Sequence, residues 1–242
     1  MFRTILFYPG IIISLIVSFI CLSRVKYLEF RGKEKEKTQA IYNITTHWAK
    51  FIMWISGAKV KVYGKENIPK DEAVLFVGNH QSNFDIPLLL SSIDVPRGFI
   101  AKKELESWPI ISLWMKYINC VFMDRSNIRK SAEAIVQGIQ TLKKGYSMVI
   151  FPEGTRSKGK PVADFKAGSF KLALKSKVKI VPVTINGSYK LLEANGGKIH
   201  GDNVEVYFHK PIDVTNLSKE EIANLHTEVR DIVVSSLPEE QR

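Results

Sequence analysis

Two short polar segments contain the residues most able to do chemistry in this chain. The first, Asn79–Asp85, contains His80 and Asp85, and the second, Glu153–Arg156, ends in a guanidinium group. A histidine can take a proton from a hydroxyl group when a carboxylate holds its other ring nitrogen, which typically contributes about 10²–10⁴-fold to a rate. Arginine presents a planar fork that fits phosphate oxygens. The two segments therefore predict activation of a hydroxyl group beside a phosphate.

His80 and Asp85 can meet only across a turn. On a regular helix, residues at this spacing are rotated by about 140° from each other, so they do not share a face. The apolar run Ala73–Val77 predicts a strand before the segment, and Pro87 favours the first turn of a helix after it. We therefore expect Asp85 near a helix start and His80 on the preceding loop. The spacing alone leaves open that Asp85 only caps the helix and that His80 binds a backbone carbonyl.

A second strand-to-loop transition leads to Arg156. The apolar run Met148–Phe151 precedes Pro152–Ser157, where Gly154 permits close approach to the backbone. Nearby lysines raise the positive potential: Lys158, Lys160 and Lys166. These residues favour a phosphate ligand, although a solvated turn before a helix has the same composition.

The amino terminus carries a membrane signal. Thr4–Ser23 has no charged residue and no small-residue cleavage site follows it, so we expect the segment to be retained. Pro9-Gly10 is predicted to interrupt it, and the apolar part beyond is shorter than the roughly 20 residues that cross a bilayer. A full crossing and insertion into one leaflet both stay open. Only Arg3 precedes the segment, whereas several cations follow it: Arg24, Lys26, Arg31 and Lys33. The positive-inside rule then predicts that the rest of the chain is cytoplasmic.

A second helix with one apolar face is predicted after a charged connector at Arg31–Lys37. Its expected N-cap is Thr38, and Gly57 is expected to end it. Trp48 and Trp54 have rings suited to the headgroup boundary, so the helix either lies on the membrane or packs against its own domain.

Short β-rich runs alternate with helical stretches after Gly57. The predicted strands are Val60–Tyr63, Ala73–Val77, Phe99–Ala101, Cys120–Met123, Met148–Phe151, Ile180–Ile185 and Val204–Phe208. The predicted helices are Pro87–Ser92, Ile110–Tyr117, Ile128–Lys144, Lys166–Lys177 and Lys219–Ser236. This alternation predicts an α/β fold, a largely parallel mixed sheet flanked by helices, with the active site at loops that leave the strands. We predict this domain at residues 59–242, after N-terminal membrane-associated helices at residues 1–58.

The charge and the cysteines restrict the classes of partner. A formal charge of +11 and a sequence pI near 9.5 indicate nucleic acid, an anionic lipid surface or a phosphorylated substrate. The lysines are dispersed and no recognised nucleic-acid motif accompanies them, which disfavours nucleic acid. Cys21 and Cys120 lack the spacing of a disulfide framework or a zinc site, so we expect no metal and a reducing compartment.

Both segments resemble sequence blocks of a known family. NHQSNFD at 79–85 and FPEGTRS at 151–157 are similar, in content and order, to the Asn-His-x4-Asp and Phe-Pro-Glu-Gly-Thr-Arg-Ser blocks of the glycerolipid acyltransferases. That family includes 1-acyl-glycerol-3-phosphate acyltransferases. The resemblance covers roughly Val60–Phe208 and extends to three further blocks: Phe99–Leu105, Val121–Arg125 and Val181–Thr184.

The resemblance implies a division of roles among these residues. His80 is expected to be the general base and Asp85 its partner. The second block is expected to bind the acyl acceptor through Glu153, Gly154, Thr155 and Arg156. Lys102 and Arg125 are expected to contact the phosphate. A solvated lysine after a strand remains the alternative for Lys102, and a surface ion pair with Asp124 remains the alternative for Arg125.

The implied reaction transfers a fatty acyl group from a thioester to the sn-2 hydroxyl of lysophosphatidic acid, which gives phosphatidic acid for phospholipid biosynthesis. The thioester of acyl carrier protein or coenzyme A is a co-substrate, and no cofactor is expected. The expected partners are lysophosphatidic acid, that thioester and the lipid bilayer, without nucleic acid. Glycerol 3-phosphate or another lysophospholipid stays open as the acceptor. A hydrolase would use water in its place, and a basic nucleic-acid- or membrane-binding module is the alternative of a different class.

Overall fold

The computed structural model describes residues 2–242 and contains one seven-stranded mixed sheet. The strands are β1 Lys59–Tyr63, β2 Val74–Gly78, β3 Arg97–Lys102, β4 Val121–Met123, β5 Ser147–Ile150, β6 Lys179–Asn186 and β7 Asn203–Phe208. Their order is β1-β7-β6-β2-β5-β3-β4, and every neighbouring pair is parallel except β6 and β7. The predicted α/β fold with a largely parallel sheet is confirmed.

Helices cover both faces of the sheet. They are α1 Phe2–Phe30, α2 Glu34–Ser56, α3 Asp85–Ser92, α4 Pro109–Tyr117, α5 Ile128–Lys143, α6 Lys171–Ser176 and α7 Lys219–Ser235. Successive side chains of a strand point to opposite faces. In β2, Val74 and Phe76 accordingly join the apolar cluster under α2 and α3, whereas Leu75 and Val77 join the cluster under α5, α6 and α7. All residues of β2 are buried, so the strand that leads to His80 is rigidly enclosed.

Helix α1 runs without interruption through Pro9, so the predicted break at Pro9-Gly10 is wrong. Proline removes one backbone donor from the helix. Contacts with α2 offset this loss, because Gly10 lets α1 approach the Ile55 side chain and Trp48 donates a hydrogen bond of 3.1 Å to Ser14. With 29 residues, α1 is long and apolar enough to cross a membrane. Its outer face exposes large apolar side chains, which suggests membrane association: Phe2, Ile5, Leu6, Ile12, Ile13, Ile16, Val17, Phe19 and Ile20.

Helix α2 begins at Glu34 rather than at Thr38, so the predicted N-cap and the length of the connector are wrong. Glu34 and Glu36 lie in the first turn, where carboxylates are favoured by the helix dipole. Lys37 adds a 2.8 Å ion pair with Glu34. Gly57 ends the helix in the left-handed conformation, as predicted. Trp54 is exposed on this helix, while Trp48 packs against the apolar core.

The N-terminal helices share the apolar core of the sheet. Phe7 of α1 and Ile52 of α2 lie in the same buried cluster as β2 and α3. The Phe7 ring is 5.5 Å from that of Phe84, the residue before Asp85. Helix α1 therefore reaches the segment in which we expect catalysis. The division into residues 1–58 and 59–242 stays a prediction.

Candidate active site

The two predicted segments leave neighbouring strands of the sheet at the same edge. His80 follows β2 and Glu153 follows β5, and these strands are paired in parallel. Asn79 holds the first segment to the next strand, because its side-chain amide donates to the Ile185 carbonyl at 2.9 Å and accepts from the Ile185 N–H at 2.8 Å. The start of the loop is thus held by two hydrogen bonds between the Asn79 side chain and the Ile185 backbone. Asn79 itself is fully buried.

His80 and Asp85 form a hydrogen-bonded pair, as the spacing across a turn predicts. The distance between His80 Nδ1 and Asp85 Oδ2 is 2.6 Å, and Asp85 is the first residue of α3. A carboxylate only accepts hydrogen bonds, so Nδ1 carries the proton and Nε2 holds the lone pair. This tautomer gives His80 a nitrogen able to accept a proton.

Asp85 also closes the loop in which His80 stands. Its Oδ2 accepts hydrogen bonds from the backbone N–H groups of Gln81 at 2.7 Å and Ser82 at 2.9 Å, and its Oδ1 accepts one from the Ser188 hydroxyl. Gln81 and Ser82 precede α3, and Ser188 is 103 positions further along the chain than Asp85. The carboxylate is therefore not a cap of its own helix, and it orients the His80 loop instead.

The imidazole of His80 is held on one face and open at Nε2. Its ring stacks on Phe151, with centroids 4.2 Å apart and planes inclined by 8°. The side chain keeps 18% of its surface exposed, and Nε2 has no hydrogen-bond partner among residues 2–242 and is not a buried atom. A substrate hydroxyl group can therefore reach this nitrogen. This is the geometry that general base catalysis requires.

Glu153 supports the His80 loop through hydrogen bonds to backbone groups. Its Oε1 accepts the His80 backbone N–H at 2.6 Å, and its Oε2 accepts the Ala163 N–H at 3.1 Å. The Ser157 N–H donates in turn to the His80 carbonyl at 2.8 Å. Burial raises the pKa of the Glu153 carboxyl, while the two backbone donors oppose that rise. With one backbone N–H bound to each oxygen, Glu153 positions the loop that carries His80.

Arg156 and Thr155 lie beyond Glu153 on the same loop. Thr155 is exposed, and Arg156 keeps 33% of its side chain exposed. One nitrogen of the guanidinium, Nη1, is 3.0 Å from Glu193 Oε1. An arginine has five N–H donors in a fixed fork, so most of them remain for a ligand.

A second group of cations surrounds Gly154. Arg125 donates to the Gly154 carbonyl, and a Cβ built on Gly154 would lie 2.8 Å from the Lys166 ammonium nitrogen. Gly154 also has φ of +78°, a conformation that favours glycine. Within residues 2–242, neither Arg125 nor Lys166 has a carboxylate at salt-bridge distance. Burial of the Arg125 guanidinium lowers its pKa. These two unpaired cations create a positive site beside the loop.

Lys102 stands at the end of β3 and forms a 2.9 Å ion pair with Glu104, in which both side chains are largely exposed. Asp124 binds Ser126 and Lys103 rather than Arg125, so the predicted alternative of an Asp124–Arg125 ion pair does not occur. Of the two further cations predicted from the sequence, Arg125 contacts the Gly154 loop directly and Lys102 does not pair with it.

Three residues that the sequence did not single out complete the site. Ser188 binds Asp85, Glu193 binds Arg156 and the His80 loop, and the Gln241 side chain accepts a 2.7 Å hydrogen bond from Gln81. Gln81 also accepts the Gly187 N–H at 3.0 Å. All are more than a hundred positions from the loop they support, and no local motif surrounds them. The alternation of strands and helices gives only one hint, because Ser188 lies three positions after the predicted strand Ile180–Ile185.

Cys120 is the cysteine nearer to this site along the chain, and its surroundings bear on its reactivity. The described residues contain no cluster of three or more His, Cys, Asp or Glu side chains able to hold a metal ion. Cys120 packs against the apolar core, and desolvation of its thiol raises the pKa to about 12. The thiolate, which is the nucleophilic form, is therefore strongly disfavoured.

Comparisons with known proteins agree on one family. The family model described as Acyltransferase matches residues 59–186. The 1-acyl-sn-glycerol-3-phosphate acyltransferase of Borreliella burgdorferi is 36% identical over 188 residues, which are 78% of this chain and 75% of that protein. A Mycoplasma pneumoniae protein described as a probable enzyme of the same name is 32% identical over 93% of this chain and 87% of its own length. The crystal structure of the 1-acyl-sn-glycerophosphate (LPA) acyltransferase PlsC from Thermotoga maritima matches with a TM-score of 0.85 and 32% identity, over 96% of this chain and 92% of that chain.

Proposed function

The chain belongs to the acyltransferase family, and on that premise we propose that it is a 1-acyl-sn-glycerol-3-phosphate acyltransferase. It transfers a fatty acyl group from an acyl thioester to the sn-2 hydroxyl of lysophosphatidic acid and forms phosphatidic acid for phospholipid biosynthesis. One observation carries the mechanism: His80 Nδ1 is bound to Asp85 at 2.6 Å while Nε2 is open. The relatives from Borreliella burgdorferi and Thermotoga maritima, whose names state this acceptor, support its choice.

In the proposed reaction, His80 Nε2 takes the proton of the acceptor hydroxyl as its oxygen attacks the thioester carbonyl. The tetrahedral intermediate then collapses, the carbon–sulfur bond breaks, and the thiol leaves with the proton from His80. Asp85 holds the imidazole in the required tautomer and offsets the charge that it gains. The reaction thus consumes one hydroxyl group and one thioester and produces one ester and one free thiol.

We propose that the transfer is direct and uses no cofactor. A thioester is already an activated acyl donor, so no enzyme nucleophile is needed. The raised pKa of Cys120 supports this proposal. The co-substrate is the thioester of acyl carrier protein or coenzyme A.

The acceptor phosphate is proposed to bind the cations around the Gly154 loop. Arg156 offers free guanidinium donors, and the unpaired Arg125 and Lys166 stand beside the Gly154 carbonyl and Cα. Charge-assisted hydrogen bonds of this kind are about twice as strong as neutral ones. Lys102 is proposed as an outer contact that must first leave Glu104.

The test of the function is an acyl-transfer assay of the full chain in lipid or detergent. Labelled acyl thioester is offered with lysophosphatidic acid, glycerol 3-phosphate, other lysophospholipids or no acceptor. We expect labelled phosphatidic acid, formed fastest from lysophosphatidic acid. Failure to acylate that acceptor would overturn the proposal, and release of free fatty acid without any acceptor would indicate a hydrolase.

Replacement of Arg156 by Ala is expected to raise the KM for lysophosphatidic acid by about tenfold or more, because a charge-assisted contact with a phosphate contributes about 1.5–3 kcal/mol. Ser157→Ala is the matched control on the same loop. The Ser157 hydroxyl is buried without a hydrogen-bond partner, and its backbone N–H bond to His80 survives the change. Equal KM values for the two variants would remove the phosphate role of Arg156.

A lipid acceptor is best met at the bilayer surface, because drawing its acyl chain into water costs about 0.8 kcal/mol per methylene. Helix α1 is proposed to lie in the cytoplasmic leaflet. Two points along it are held by the rest of the chain: Arg3 near its start lies against Gly57, and Ser18 near its middle accepts a 3.1 Å hydrogen bond from Trp114. A crossing helix would have to release these contacts.

This placement predicts that the two ends of α1 lie on the same, cytoplasmic side. Single cysteines at Arg3 and Arg31, in a chain with both Cys21 and Cys120 changed to Ser, are treated with an impermeant maleimide. Both are expected to react in inverted membrane vesicles and to be protected in right-side-out vesicles. Opposite patterns at the two positions would show that α1 crosses the bilayer.

A further inference from the structure

Glu193 joins the two loops of the active site. It lies in a short 3-10 turn after β6, outside both sequence blocks and beyond the residues that the family model matches. Its Oε1 is 3.0 Å from Arg156 Nη1 and accepts the Asn83 N–H at 3.0 Å. Its Oε2 accepts the Ser82 hydroxyl at 2.6 Å. Only 7% of its side chain is exposed.

A carboxylate at such a buried position is costly unless it is fully paired. Glu193 is paired by three donors, of which one is the Arg156 cation. Two of the three belong to the segment between His80 and Asp85, and the third belongs to the loop that we assign to the acceptor phosphate. The carboxylate therefore fixes Arg156 relative to the catalytic pair, rather than simply neutralising a surface charge.

The chain around Glu193 is itself anchored to the catalytic loop. The Gly187 N–H donates to the Gln81 side chain at 3.0 Å, and the Ser188 hydroxyl donates to Asp85. The segment from 187 to 193 thus contacts the loop at three separate points. A turn held in this way has little freedom to shift when Arg156 takes up a ligand.

We propose that Glu193 is a positioning residue for the acceptor. It holds the Arg156 guanidinium through Nη1 so that the remaining N–H donors face the phosphate, and it couples that phosphate contact to the loop that carries His80. This inference rests on the proposed function. It adds a residue on which the alignment of the acceptor hydroxyl with His80 depends.

Steady-state kinetics of the full chain separate positioning from a merely structural role. Glu193→Ala is expected to raise the KM for lysophosphatidic acid at least tenfold, because Arg156 loses its orientation. Glu193→Gln keeps the volume and one acceptor oxygen, so a smaller rise is expected. Glu72→Ala is the control, since it removes a 2.7 Å ion pair with Lys179 that is exposed and lies outside the site. Its KM is expected to be that of the native chain.

A double-mutant cycle with Arg156→Ala provides the decisive readout. If Glu193 acts through Arg156, adding Glu193→Ala to Arg156→Ala leaves the KM unchanged within about twofold. Full additivity, or a loss confined to kcat together with a lower melting temperature, overturns the proposal. Should Glu193→Ala not fold, the same cycle is run with Glu193→Gln. A native chain that does not acylate lysophosphatidic acid would instead refute the proposed function.

Discussion

Replacement of His80 by Ala is expected to lower kcat for acyl transfer by about 10²–10⁴-fold, the usual contribution of a positioned general base. The substitution removes Nε2, the nitrogen that is proposed to accept the proton of the acceptor hydroxyl. The loop should survive the change, because its bonds to Glu153 and Ser157 are made by the His80 backbone. The KM for the acceptor is expected to change little, since none of the proposed phosphate contacts comes from the imidazole. Initial rates at saturating acceptor and thioester measure the effect.

His47→Ala is the matched control for this variant. His47 is exposed on α2, and its ring is hydrogen-bonded to the Asn43 carbonyl of its own helix. The control should retain native kcat. If His80→Ala keeps a rate within a few-fold of the native one, while folding normally, base catalysis by His80 is refuted and the open imidazole must have another role.

The sequence predicted the sheet because each strand carries its own signal. β2 reads as an unbroken apolar run ending in glycine, and β5 reads likewise up to the loop of Glu153. A parallel strand buried on both faces requires that composition whatever its neighbours are. The pairing of His80 with Asp85 followed from local geometry as well, since the turn and Pro87 lie within the same segment.

The errors in the N-terminal helices have tertiary causes. A Pro-Gly pair normally ends a helix, but at Gly10 the missing side chain lets α1 pack closely on Ile55. The charged residues Glu34–Lys37 read as a connector because they contain no apolar face. They are nonetheless helical, since carboxylates favour the first turn and Lys37 pairs with Glu34 and Glu29.

The residues that support the site could not be predicted from the sequence. Ser82 and Glu193 are separated by 111 positions, and Gln81 and Gln241 by 160. Such contacts depend on how β6 and the carboxyl terminus fold back over the sheet edge, for which no short pattern exists. Glu153 illustrates the same limit: its block suggested a contact with the acceptor, but no pattern in that block indicated that its two oxygens accept hydrogen bonds from backbone groups of the protein.

Asp85→Asn is expected to lower kcat by about 10²–10⁴-fold with a nearly native fold. The amide matches the carboxylate in volume. Its oxygen can take the place of Oδ2, which accepts from His80, Gln81 and Ser82, and its nitrogen can then donate to the Ser188 hydroxyl. The loop is thereby retained, but the negative charge that stabilises the protonated imidazole is lost. Kinetics and thermal unfolding of the variant measure the two effects separately.

The choice of Asn separates charge from loop closure. Asp85→Ala would leave four donors unpaired, of which the three buried ones cost about 1–3 kcal/mol each, and would confuse unfolding with loss of catalysis. Asp94→Asn is the matched control, because Asp94 is exposed and its ion pair with Lys65 lies away from the site. A folded Asp85→Asn chain with near-native kcat would mean that Asp85 only closes the loop. A large loss at native stability would mean that catalysis by His80 needs the charge of Asp85, since the loop itself would be intact.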